Sequence, residues 1–224
     1  MSRVSHSLLD PFLSPVVPSL YRSLKLPRRL PPEAIVVFGH LVALAGAVGF
    51  ALSVSSPLGA LLAAGGVAGN HLADMIDGTH ARRTGQCRNG GELLDHFADP
   101  LSFAAWVAGI GGSCGRLDVG IAGVVLVYAT ALLTNLRAKI TGEFRLARLG
   151  PTEFKALLVG YALALAGVGA ARPELAGPVA FGFLAVVVVA GTAGLGIDLA
   201  RSVREVNEHG ARADTSEWEI KMRR

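Results

Sequence analysis

Six apolar runs dominate this chain, and they leave few folds open to it. They extend from about Ala34 to Val54, Pro57 to Ala73, Gly91 to Gly112, Val119 to Leu136, Phe154 to Ala171 and Pro178 to Leu199. Each approaches the twenty residues that a helix needs to cross hydrocarbon, the second and third only when the aspartates within or beside them are counted. Hydrophobic residues make up 51% of the 224, which is too many for an ordinary soluble domain. The expected fold is an all-α integral membrane protein with six transmembrane helices. Aromatic residues are only 6% while glycines number 28, so the helices should approach one another through small side chains.

The first 33 residues form a separate segment. Pro11, Pro15, Pro18, Pro27, Pro31 and Pro32 exclude one long helix there but allow a short one between Pro18 and Pro27. That piece alternates apolar and basic residues and suits the membrane interface; a disordered tail is the alternative. The prolines also interrupt any signal-peptide core, and no small-residue cleavage site follows one. Residues 34–205 are the expected transmembrane catalytic domain, and 206–224 a charged cytoplasmic tail around Trp218. With both termini and the 84–89 connection on one side, only Arg116 and Arg172 of the 21 Lys and Arg fall opposite. The positive-inside rule makes that basic side cytoplasmic. Cys87 and Cys114 then lie on opposite sides, as free thiols. The net charge of +4 matches an anionic lipid surface, and no nucleic-acid module is present.

Against this background Asp74, Asp77, Asp95 and Asp99 stand out, at gaps of three, eighteen and four residues. Residues three or four apart share a helix face, so the acids form two pairs. If their helices are antiparallel neighbours across the short basic connection, four carboxylates enclose a small space. Intramembrane acids are costly and usually line a functional cavity. The simplest relief of their repulsion is two divalent cations, Mg²⁺ or Mn²⁺, on oxygen ligands. Gly78 and Ala81 leave the wall beside them nearly bare, and Arg82 adds a fork of donors suited to phosphate. The set describes a pyrophosphate pocket. Salt bridging of the acids to Arg82, Arg83 and Arg88 is the plainer alternative.

Written as DxxDGxxAR, eight residues, then GxxxDxxxD, the stretch resembles the signature of the CDP-alcohol phosphotransferase family, with Asp74, Asp77, Gly78, Ala81, Arg82, Gly91, Asp95 and Asp99 in register. The strings ARRTG and GELLDHFAD, with a weaker echo in GPTE at 150–153, are most similar to the choline and ethanolamine phosphotransferase branch. The resemblance implies metal-dependent transfer of a substituted phosphate from a CDP-alcohol to an acceptor alcohol, with release of CMP, in phospholipid synthesis. It implies Asp74, Asp77, Asp95 and Asp99 as metal ligands, and Gly78, Ala81, Arg82 and Gly91 around the CDP group. Asn70, four residues before Asp74 on the same face, either reaches the nucleotide or bonds a neighbouring helix. The branch favours CDP-ethanolamine or CDP-choline as donor to diacylglycerol. The alternative is CDP-diacylglycerol as donor to a small polar alcohol.

Asp99 is the expected base for the acceptor hydroxyl. Glu92, His96 and Asp99 share one helix stripe, so His96, oriented by Glu92 or Asp99, is its rival. Thr134, Asn135, Arg137, Lys139, Glu143 and Arg145 either bind the acceptor or sit at the membrane edge, where long cations snorkel. His40, His71, His80 and His209 read as inter-helix or surface polar groups. A divalent-cation transporter or sensor is the remote alternative to the enzyme. Gly65, Gly66 and Gly69, or Gly160, Ala164 and Gly167, would support a homodimer or internal packing alike.

Overall fold

A computed structural model describes residues 2–5, 7–146, 150–211 and 215. Arg148, Arg212, Trp218, Lys221, Arg223 and Arg224 lie outside these, and with them most of the expected tail. The order is β1 (Ser2–Ser5), α1 (Asp10–Leu13), α2 (Val17–Leu24), α3 (Pro32–Leu52), α4 (Pro57–Thr84), α5 (Asn89–Ser113), α6 (Leu117–Thr141), β2 (Glu143–Leu146), α7 (Pro151–Ala171) and α8 (Ala176–His209). Pro32, Pro57 and Pro151 each occupy the first position of a helix, where a missing N–H costs nothing. α4 stops at Gly85, whose left-handed φ of 73° turns its N–H back to the Ala81 carbonyl. The chain then needs only residues 85–88 to enter α5.

The six long helices correspond to the six apolar runs. α3, α6, α7 and the stretch Pro173–His209 are long and apolar enough to cross a membrane. α4 and α5, which carry the acids, fall outside that group. Phe38, Leu41 and Val48 on α3, Ile121, Val125 and Leu132 on α6, and Val186 and Val189 on α8 are exposed. Such apolar faces suit lipid, so the chain is an α-helical membrane protein.

α3 packs along α4 and α5, α4 along α7, α5 along α6, and α6 along α8. The α3–α4 contact is made backbone to backbone. A Cβ added at Gly46 would lie 3.1 Å from the Gly66 Cα, and one at Gly66 would lie 2.6 Å from the Gly46 nitrogen. Gly66 is thereby committed to internal packing, whereas Gly160 and Gly167 would meet nothing within 4 Å. Below this seam Phe50, Trp106, Ile110, Leu158, Leu165 and Leu184 form the largest part of the core. The Trp106 indole N–H donates to the Ala43 carbonyl at 2.8 Å, locking α5 to α3.

The N-terminal segment is docked on the bundle. The short helix expected between Pro18 and Pro27 is α2, which ends at Lys25 with a left-handed φ of 47°. Tyr21 on α2 meets His80 Nδ1 at 2.8 Å, and His80 Nε2 meets the Leu30 carbonyl at 2.8 Å. Because a carbonyl only accepts, Nε2 is the donor to Leu30, and Nδ1 is the atom that faces the Tyr21 hydroxyl. Glu153 caps α7 through the Gly150 N–H at 2.8 Å and also accepts from Ser7 Oγ at 2.6 Å and the Leu8 N–H at 2.7 Å. One feature departs from the all-α expectation: β1 pairs in parallel with β2, Ser2 opposite Glu143 and Ser5 opposite Leu146. Four-residue strands are too short for alternation to reveal them, and their pairing depends on where the docked segment leaves the chain.

Candidate active site

α4 and α5 bring the acids together as their spacing predicts. One carboxylate oxygen from each of Asp74, Asp77 and Asp95 lies within 4.8 Å of the others. Asp77 is buried, at 7% exposure. The three border a small cavity with Asp99, Asn70 and His40, the last contributed by α3. Among the described residues, Asp77 Oδ2 and Asn70 Oδ1 are buried there without a hydrogen-bond partner. Unpaired oxygens facing three clustered carboxylates are costly in a dry interior unless a cation meets them. The donor set, all oxygen, fits a hard divalent ion.

Asp99 stands apart from this trio. The Lys155 ammonium on α7 donates to Asp99 Oδ1 at 3.1 Å and to Asp74 Oδ2 at 2.8 Å. Lys155 is 1% exposed, and its nitrogen lies 5.5 Å from the Phe103 ring centroid. By topology alone Lys155 is one more cation of the basic side. The signal that would have found it is the buried stripe of α7, where Lys155, Leu158, Ala162 and Leu165 recur at helical spacing. A lysine on a core stripe has to point at an acid.

Among the described residues, the three arginines of the plainer alternative make other contacts. Arg88 pairs with Glu33 at 3.1 Å, and Arg83 lies over the Tyr21 ring. Arg82 turns back along α4, 3.5 Å from Thr79 Oγ1, and a Cβ at Gly78 would meet its guanidinium at 3.2 Å. The bare face expected at Gly78 is therefore covered by the phosphate-type donor itself. Gly91 faces Glu33, whose Oε1 would lie 3.6 Å from an added Cβ.

Asn70 bonds the neighbouring helix: Nδ2 donates to the Gly39 carbonyl at 3.2 Å, tying α4 to α3, while Oδ1 borders the cavity. His40 Nδ1 lies 2.9 Å from Ser102 Oγ, which itself donates to the Ala98 carbonyl, so the imidazole is the donor. His71 lies 4.0 Å from Asp74.

The remaining candidates are spread more widely. The His96 ring stacks on Phe144 of β2 at 4.7 Å, and Glu92 is exposed. Arg137 donates to the Arg145 carbonyl at 2.8 Å, holding the β2 connection, and Lys139 is exposed. Thr134 and Asn135 bond carbonyls of their own helix.

Among curated proteins, no significant match to the chain is found. A sequence profile does match, over residues 32–197, from the first turn of α3 to the last third of α8. Those bounds take in every acid of the cluster together with Lys155 and leave out the docked N-terminal segment, and the profile is that of CDP-alcohol phosphatidyltransferases, the membrane transferases of substituted phosphate groups to which this chain belongs.

Proposed function

We propose that this chain transfers a substituted phosphate from CDP-ethanolamine or CDP-choline to diacylglycerol and releases CMP, at a divalent-metal site opening to the cytoplasm. Membership of the family implies a CDP-alcohol donor and phospholipid synthesis; the donor, acceptor and metal are our reading. The observation that carries the metal dependence is the Asp74, Asp77 and Asp95 cluster with its unpartnered Asp77 oxygen. The amino-alcohol donor is supported by ARRTG and GELLDHFAD. The six long helices would all span the bilayer, α4 and α5 with their acids turned inward, with both termini on the basic side.

Asp74, Asp77 and Asp95 would hold Mg²⁺ or Mn²⁺. An ion held there would supply positive charge against the charge that develops on the departing CMP. Arg82, with Gly78 and Ala81 on the same stretch of α4 and Gly91 at the start of α5, would receive the CDP group, and Asn70 Oδ1 would add one acceptor. The acceptor hydroxyl attacks the phosphorus that carries the alcohol, the bond from that phosphorus to the CMP oxygen breaks, and the hydroxyl proton passes to Asp99. Lys155 holds Asp99 Oδ1, which leaves Oδ2 for that proton. His96 is assigned to the adjoining wall because its ring is stacked on β2.

The test is CMP release by the purified protein in lipid vesicles with Mg²⁺ or Mn²⁺. CDP-ethanolamine or CDP-choline with diacylglycerol is compared with CDP-diacylglycerol and a panel of polar alcohols. Release that requires the first pair supports the proposal. Release from CDP-diacylglycerol alone replaces it with the phosphatidyltransferase reading, and cation flux without CMP release replaces it with transport.

A further inference from the structure

The cluster is asymmetric in how its charge is met. On one side Asp77 Oδ2 is buried with no hydrogen-bond partner among the described residues, and the Asp74, Asp77 and Asp95 oxygens gather within 4.8 Å. On the other, between Asp74 and Asp99, a positive charge is already present: the Lys155 ammonium, 2.8 Å from one carboxylate and 3.1 Å from the other. The ammonium has nowhere else to go. Lys155 is 1% exposed, it stands at the head of the buried stripe of α7, and α7 packs along α4, which carries Asp74. Withdrawing it would leave a desolvated cation and two desolvated anions apart, a much worse arrangement than the pair.

We infer that Lys155 is a positioning residue that serves as a resident counter-cation: it fills the Asp74 and Asp99 half of the cluster, so that the site takes one divalent ion on Asp74, Asp77 and Asp95, and a second ion enters only by displacing the ammonium. This departs from the expectation of two ions drawn from the four acids alone. It rests on the reading of the aspartate trio as a cation site. A consequence for the reaction is that Asp99 acts as a proton acceptor held in place by a hydrogen bond, instead of as a shared metal ligand.

The experiment counts Mn²⁺ on the full chain in lipid vesicles, by the electron paramagnetic resonance signal of free Mn²⁺, with no CDP-alcohol present. The wild-type protein is expected to bind one tight ion per chain, with any second ion at least tenfold weaker. Lys155→Met is expected to tighten the second ion at least tenfold. Lys155→Arg keeps the charge and should retain the wild-type count. Should Lys155→Met fail to fold, the double variant Lys155→Met with Asp99→Asn removes opposite charges together and should return to a single ion. Two equally tight ions on the wild-type protein would overturn the inference, as would an unchanged second-ion affinity in Lys155→Met. A double variant that holds two tight ions would overturn it as well. Because the count needs no substrate, a failed CMP-release assay bears on the catalytic reading and leaves this result standing on its own.

Discussion

α4 and α6 are of similar length, 28 and 25 residues, and they stand in opposite relations to their surroundings. α6 is apolar enough to cross a membrane, yet its buried positions are Gly120, Gly123 and Ala138 alone, and Ile121, Val125 and Leu132 face outward. α4 is too polar to be recognised as a span, yet it buries twelve residues, among them Asn70, Asp77, Thr79 and His80. In water the more apolar helix would be the more buried one. In a bilayer the order reverses, because lipid accepts apolar side chains and only protein can satisfy polar ones. Hydropathy therefore marks where this chain meets lipid, and burial marks where it does chemistry.

That contrast can be broken experimentally, and the largest effect should come from the polar helices. Asp95→Asn should lower CMP release at least a thousandfold, about 4 kcal/mol of transition-state stabilisation, while the detergent-solubilised protein keeps its helical circular dichroism. Retention of even a tenth of the activity would show that the trio is not the metal site. Next comes the seam that buries α4. Gly66→Leu places side-chain atoms against the Gly46 backbone, and overpacking of this kind costs about 1–3 kcal/mol; the thermal midpoint should fall by several degrees. Gly160→Leu on α7 meets no neighbour, and an equal loss there would mean that the seam is not special.

A smaller and more local effect is expected where the N-terminal segment docks. Glu153→Ala removes the acceptor shared by Ser7, Leu8 and Gly150, so limited proteolysis should cut near residues 7–9 sooner than in the wild-type protein. The transmembrane core should remain intact on the same gel. Least of all should follow from Val189→Ala on the lipid face of α8, where the side chain is 70% exposed. Its unfolding free energy in lipid should match the wild-type value within about 0.5 kcal/mol. A larger loss would place a protein partner, in place of lipid, on that face.

Much of the site was legible because helix geometry is local. Asp74 with Asp77 and Asp95 with Asp99 share helix faces by their spacing, and a connection as short as residues 85–88 makes α4 and α5 chain neighbours, which allows those faces to meet. The fold was legible to the same depth: Pro32, Pro57 and Pro151 open helices where the apolar runs begin. What escaped were contacts between distant parts of the chain. Lys155 lies 56 residues beyond Asp99, and only the packing of α7 against α4 brings its ammonium to the acids. The β1–β2 ladder joins residues about 140 apart through four pairs, with no pattern in either strand strong enough to predict it. Arg82 is a third case: its place in the motif follows from spacing, but whether it lies open to solvent or folds over Gly78 is a rotamer choice that spacing does not determine.

The bond from the Trp106 indole to the Ala43 carbonyl gives the protein its own optical probe. The chain has two tryptophans, Trp106 and Trp218, so Trp218→Phe would leave a single emitter. That emitter is fully buried, two helical turns beyond Asp99 on the same helix, and fixed by a hydrogen bond across the α3–α5 contact. Its emission colour follows the polarity around the ring, and loss of the Ala43 bond would alter it. Any change in the α3–α5 contact when a substrate is added would then be visible in real time, in a native membrane mimic, without attaching a dye.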